Sequence, residues 1–289
     1  MRLVAVAVAL LLLPVASAQF PGVGSIKDKI DGANSRVKPV TDRAQKAADA
    51  FGEWSPADEQ QIGQASAEKM VAIFGLMDDP ALQKYVSLVG QAVAQFAGRP
   101  LPYRFGILDT DIVGAFALPG GYIFITRRAL AGMKNEAQLA GALGHEIEHA
   151  SARHLETEIR GRKTSAWATQ ESAVYTDRAT NRVPNPIGLR ADAVLRDLFN
   201  TALSRAKEDD ADEKGTLMAA WAGYAGNGLQ EFLRTLAAAN SDAGNRRYFG
   251  QLLATHPSFE SRIVRLASLS YTQARGKTLE ERFNRAMGR

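Results

Sequence analysis

The chain has 289 residues, 46% hydrophobic and 23% charged, which suits a globular protein with one large domain or two small ones. Its formal charge of +4 comes from basic residues interspersed with acids, so small an excess that no nucleic-acid footprint follows. The absence of cysteine excludes disulfides and thiolate metal sites, so any metal must be held by His, Asp or Glu.

The first stretch, "MRLVAVAVALLLLPVASAQF", carries Arg2, an apolar run from Leu3 to Val15 and a small-residue ending. This is the layout of a secretory signal peptide over 1–18, cut after Ala18. The apolar run falls short of the roughly 20 residues that a membrane span needs. Export is therefore expected, with no transmembrane segment in the mature chain. Residues 19–54, rich in Gly, Lys and Asp and interrupted by Pro39, read as a linker or N-terminal arm.

A single domain is expected over 55–289. In "SPADEQQIGQASAEKMVAIFG", Ser55 is a helix N-cap, Pro56 takes the first helical position and acids fill the first turn. "DPALQKYVSLVGQAVAQFAG" repeats the pattern from Asp79 and Pro80, with Leu82, Tyr85, Val86, Leu88 and Val89 assigned to one apolar face. The β-rich runs "PYRFGILDT", "IVGAFALPGG" and "GYIFITRRAL" predict a small sheet of about three strands. Helices are expected at roughly 135–160, 190–224, 228–240 and 258–286. Between the first two, the polar segment 164–189 contains two prolines and is a candidate lid. The fold class is α+β, mostly helical.

Three of the four histidines fall in "LGHEIEHASARH". His145 and His149 are one helical turn apart, about 40° around the axis, so two imidazoles can reach one metal ion. Glu146 and Glu148 flank the line between them, each about 80° to one side, and helical angle does not choose between them. The H-E-x-x-H motif does: it makes Glu146 the base beside a zinc ion. His154 lies about 140° from His149, cannot share that metal, and reads as a supporting histidine.

A catalytic zinc usually has three protein ligands, and the third must come from elsewhere. Glu208 and Asp212, again four residues apart, share a face of a predicted helix. Glu208 can ligate while Asp212 accepts from the far nitrogen of a ligating histidine. In isolation "KEDDADEK" reads as a solvated acidic helix face. Downstream of an H-E-x-x-H helix, with apolar residues resuming at Leu217, the metal-site reading is preferred.

From about Ser55 to Leu269 these residues resemble peptidase family forty-eight of the metallo class, zinc metallopeptidases of the gluzincin type. Its soluble periplasmic members look closest. The likeness is carried by "ADEQQIGQ", "DPALQKYVSLVGQAVA", "GAFALPGGYIFITRRAL", "AQLAGALGHEIEHASARH", the E-x-x-A-D helix at Glu208 to Asp212, and "THPSFESRI". The resemblance implies one Zn²⁺ per chain on His145, His149 and Glu208, with Glu146 as general base and Asp212 orienting His145. It also implies that His256 and Arg262 face the site and stabilise the oxyanion. In some relatives the corresponding histidine instead caps the zinc, and on its own residues Thr255-His256-Pro257 is equally a turn before the last helix.

The segment Gly121, Tyr122, Ile123 and Phe124 is expected to align an extended substrate as an added strand. The implied function is zinc-dependent endopeptidase cleavage of protein or peptide substrates, such as misfolded or misassembled envelope proteins, in the periplasm. The alternative is a chaperone-like binding protein with a capped zinc. Two departures stand out: Gly114 replaces an Asn common in relatives, and no helical-repeat domain is expected after the core.

Overall fold

Ser55 opens helix α1 (Pro56–Phe74) with a reciprocal cap: its hydroxyl accepts from the Asp58 N–H, and the Asp58 carboxylate accepts from the Ser55 N–H. This computed structural model describes residues 54–161, 186–200, 202–250, 252, 256, 258–269 and 276–289. The expected signal peptide and nearly all of the N-terminal arm lie outside them. Trp54, assigned to the arm by sequence, is instead 2% exposed and packs in the core.

Asp79 caps α2 (Pro80–Ala94) on the Leu82 N–H. Leu82, Val86 and Val89 are buried as expected, but Leu88 is exposed. At about 100° per residue it falls more than a quarter turn from the Val86 line.

Strands β1 (Arg104–Leu108), β2 (Ala115–Leu118) and β3 (Tyr122–Thr126) form a mixed sheet in the order β1-β3-β2. β3 runs parallel to β1 and antiparallel to β2, with Ala117 opposite Ile123. Both edges of β3 are therefore occupied, and all five of its residues are buried. Ile123 and Ile125 join a core with α2, while Tyr122 and Phe124 join a second core with α1. This overturns the sequence assignment of Gly121, Tyr122, Ile123 and Phe124 as the strand to which substrate adds. A central strand has no free backbone groups to offer.

After the short α3 (Arg127–Ala131), each of three expected long helices breaks in two. The first becomes α4 (Glu136–Ser151) and α5 (His154–Gly161), hinged at Arg153 with φ 55°. The second becomes α6 (Pro186–Asn200) and α7 (Arg205–Trp221). Helix α8 (Gly228–Ser241) follows as expected. The last becomes α9 (Phe259–Ser268) and α10 (Glu280–Ala286), between which Lys277 returns to pair with Tyr224. Of the candidate lid, 164–185 lies outside the described residues and 186–189 belongs to α6. Among the described residues no helix is long and apolar enough to cross a membrane.

The buried α4 is the axis of the domain, and α7 is its most extensive packing partner. The two helices touch backbone to backbone: a Cβ on Gly144 would lie 2.4 Å from the Gly215 carbonyl oxygen, and one on Gly215 would lie 2.5 Å from the Gly144 carbonyl carbon. No other residue pair permits that approach, which brings the acidic face of α7 against the histidines of α4.

Candidate metal and active site

On α4, His145 and His149 point their Nε2 atoms at a common point, 3.0 Å apart. Glu208 on α7 faces them, its Oε1 3.4 Å from His149 Nε2 and its Oε2 3.8 Å from His145 Nε2. His256 completes the group, with Nε2 3.9 Å from Glu208 Oε1. One ligand atom from each of these four residues lies within 4.8 Å of all the others.

Glu208 is fully buried, yet no hydrogen bond of good geometry reaches either of its oxygens among the described residues. An ionised carboxylate in that position needs a cation. Burial pushes its pKa up, but His256, His149 and Arg262 outweigh burial and hold it well below the ordinary value. His145 is driven down to about 3 by burial, then by His149 and Arg262, and so stays neutral, as a ligand must. Burial also lowers His149, but Glu208 more than compensates and raises it. A proton on His149 is one way to balance Glu208; a divalent cation is another. The donor set of two imidazoles and a carboxylate suits zinc.

The outer nitrogens of the histidines are braced differently. His145 Nδ1 lies 3.0 Å from Asp212 Oδ1, as expected. Arg262 grips the same carboxylate, Nε donating to Oδ2 at 2.9 Å and a terminal nitrogen to Oδ1 at 2.5 Å. Two of its three nitrogens are thus spent on Asp212, and Nη1 alone remains on the Glu208 side at 3.7 Å. Arg262 therefore sits behind His145 as a clamp rather than across the site as a free oxyanion donor.

His149 Nδ1 lies 2.9 Å from His154 Nδ1. To present the Nε2 lone pair, His149 must carry its proton on Nδ1, so His154 accepts there. His154 then carries its own proton on Nε2, 3.4 Å from Asp210 Oδ2. The hinge at Arg153 makes this contact possible by turning His154 back over the preceding helix. Sequence reading found His154 only as a supporting residue and missed Asp210, although "EDDAD" places it two residues from Glu208.

The two glutamates left equivalent by helical angle are separated by packing. Glu146 turns toward β2, where the Ala117 N–H bonds its carboxylate. Burial pushes its pKa up to about 7, a value suited to proton transfer near neutrality. Glu148 turns the other way, to Lys214 Nζ at 3.1 Å. Clefts open on both sides of Glu146: one by Val113 and α8, the other by Leu155 and Leu198. Among the described residues no strand pairs with the outer edge of β2, which lies along both clefts.

Residues 80–270 match Peptidase family M48. The chain is 26% identical over 216 residues to the Beta-barrel assembly-enhancing protease of Escherichia coli (strain K12), covering 73% of this chain and 43% of that protein. It is 26% identical over 247 residues to the Mitochondrial metalloendopeptidase OMA1 of Arabidopsis thaliana, covering 85% and 45%. It is 29% identical over 217 residues to a Protease HtpX homolog of Acaryochloris marina, covering 66% and 73%. The chain spans less than half the length of the first two relatives. With the His145–Glu146–His149 helix, Glu208 and Arg262 all inside the matched span, the chain belongs to Peptidase family M48, a family of metallopeptidases.

Proposed function

We propose that the chain is a zinc-dependent endopeptidase in which His145, His149 and Glu208 hold one zinc ion and Glu146 is the general base. The observation that carries this reading is the Glu208 carboxylate, buried without a hydrogen-bond partner and aimed at two imidazole nitrogens. A buried carboxylate that protein donors leave unsatisfied costs roughly several kcal/mol and is kept where a cation offsets it. When bound, zinc supplies Lewis acidity, polarising a peptide carbonyl and making water easier to deprotonate.

Glu146 takes the proton of the attacking water and delivers it to the departing amine. His256, beside Glu208 at the same cluster, is placed to donate to the developing oxyanion. Asp212, clamped by Arg262, holds His145 in the tautomer that presents Nε2. The outer edge of β2 aligns an extended segment through the Ala115 and Ala117 backbone, a mode that tolerates many sequences. Such tolerance suits misfolded or misassembled envelope proteins, in keeping with the export signal expected over 1–18; the E. coli relative is itself named for enhancing β-barrel assembly. On this reading the chain works in the periplasm.

A second reading rests on His256 being within ligand range of the same cluster. As a fourth ligand it would cap the zinc and leave a chaperone-like binding protein. One experiment separates the two. Glu146→Gln should keep about one zinc per chain while casein cleavage falls roughly 100-fold or more. If wild type leaves casein uncut, with or without added zinc, the capped reading stands; if the variant cuts as fast as wild type, Glu146 is not the base.

A further inference from the structure

The outer edge of β2 ends against a group of arginines. The Thr126 N–H donates to the Gly114 carbonyl at 3.0 Å and the Gly114 N–H to the Thr126 hydroxyl at 3.2 Å, so Gly114 faces β3. By the alternation of an antiparallel ladder, Val113, Ala115 and Ala117 turn their backbone groups outward. The Ala117 N–H meets Glu146, and the Val113 N–H donates to the Tyr248 carbonyl at 2.8 Å. Among the described residues, an added strand finds its last open partner at Ala115 and must leave the edge at Tyr248.

Tyr248, half-buried, closes the 3-10 turn Arg246–Tyr248. The Arg128 guanidinium stacks 3.6 Å from its ring centroid; Arg247 lies 4.7 Å from the same centroid and donates to the hydroxyl at 2.6 Å. Arginine on tyrosine is ordinary surface packing. The unusual feature here is a missing counter-charge. Next door, Arg127 is held by Asp109 at 2.7 Å and Asp111 at 3.1 Å. Among the described residues no carboxylate does the same for Arg128, Arg246 or Arg247; Arg128 donates only to the Asn245 amide oxygen, at 3.2 Å. Like charges gathered on one ring repel, and an anion between them relieves that repulsion.

We infer that Arg128 and Arg247 anchor an acidic side chain of the substrate, carried roughly two to four residues after the cut bond. The inference rests on the peptidase reading above and adds a charge preference to it. Position follows from strand direction. β2 runs from Ala115 to Leu118, and antiparallel addition is the more stable pairing per residue. A substrate so aligned leaves past Ala115 toward Val113 and Tyr248. At about 3.3 Å per residue, two residues carry it from Ala115 to the arginines. A carboxylate there accepts from guanidinium donors that stacking on Tyr248 leaves open. The contact is exposed, so each guanidinium contributes about 2- to 5-fold in affinity, and salt screens it.

The test uses the full chain with zinc and denatured, dephosphorylated casein, with the new N-termini mapped by mass spectrometry. Asp and Glu should be enriched about 3- to 10-fold over Lys and Arg at the second to fourth residues after the cut, and less so in about 0.5 M NaCl. A peptide spanning one mapped cut should show about fivefold lower KM than its Glu→Gln counterpart, at equal kcat. Arg128→Glu combined with Arg247→Glu should invert the preference toward Lys and Arg, with kcat on a neutral peptide within about twofold of wild type. Arg247→Glu alone, at an exposed position, should shift the profile part of the way and covers the case in which the double variant does not fold. Chelator-sensitive cleavage without acidic enrichment overturns the anchor alone, as does enrichment that survives in both variants. So does lost binding to phosphatidylglycerol vesicles with an unchanged cleavage profile, which would assign the arginines to a lipid surface. No chelator-sensitive cleavage at all overturns the peptidase reading and the anchor together.

Discussion

Two glutamates of this domain, Glu136 and Glu208, are equally buried and oppositely surrounded. Glu136, in the first turn of α4, accepts from the Tyr85 hydroxyl at 2.6 Å, the Tyr224 hydroxyl at 2.7 Å and the Arg282 guanidinium. It ties α2, α4, the turn after α7 and α10 together, and the positive end of the α4 dipole favours its charge. Glu208 has no donor in hydrogen-bond geometry among the described residues and faces imidazole nitrogens at 3.4–3.9 Å and Arg262 Nη1 at 3.7 Å. The difference teaches how to read a buried carboxylate. Saturated by protein donors it ties elements of the fold together; left open toward imidazole nitrogens it is a candidate to hold a cation.

Replacing each carboxylate by its amide is the most forceful way to break that contrast. Glu208→Gln should lower zinc affinity and peptidase activity by at least roughly 100-fold, since losing a ligand exceeds losing its support. Its metal-free melting temperature should fall less than that of Glu136→Gln, because no protein hydrogen bond of good geometry to either oxygen is lost. Competition against a chromogenic chelator, together with thermal melts of the stripped protein, measures both. A metal-free melting temperature that drops as far as that of Glu136→Gln would erase the distinction.

A smaller effect sharpens the view of how the ligands are braced. His154→Phe should weaken zinc binding about 10- to 100-fold by freeing the His149 ring, and His154→Gln, which retains an acceptor, should recover part of it. Equal affinity of both variants and wild type would mean that the contact between the two Nδ1 atoms contributes no bracing.

The smallest change is expected on the structural side. Glu136→Gln should cost roughly 1–3 kcal/mol of stability with zinc affinity unchanged, since it disrupts donors around a buried acceptor. The pH dependence has a definite sign. Burial raises the Glu136 pKa, but Arg282, Tyr85 and Tyr224 hold it below the ordinary 4.5. Its contribution is thus complete above about pH 4.5 and is lost as pH falls through the folded value. The stability gap between wild type and Glu136→Gln, followed by denaturant melts, should narrow on acidification.

Local signals were legible wherever one element was enough. Ser55 and Pro56, Asp79 and Pro80 mark helix starts through capping chemistry confined to four residues. His145 and His149 share a face by spacing alone. The breaks at Arg153, between Asn200 and Arg205, and after Ser268 were not legible, because the apolar period continues across them. The position of β3 was hidden for a related reason: β-rich runs announce strands but not their order. Its run "YIFIT" is apolar on both faces because it is central, and that places it out of reach of substrate.

By itself, the sequence put His145 with His149, and Glu208 with Asp212, on shared helix faces, because helical spacing is a short-range geometric fact. Helical angle left Glu146 and Glu148 equivalent, with only the H-E-x-x-H motif to choose Glu146, and the β-rich runs put the substrate strand in the wrong place. The tertiary structure decided the positions by packing: α7 reaches α4 through the bare backbones of Gly144 and Gly215, β2 takes the edge beside Glu146, and Glu148 turns out to Lys214. Contacts between residues about seventy positions apart depend on how closely two backbones can approach, and no periodicity along the chain encodes that distance.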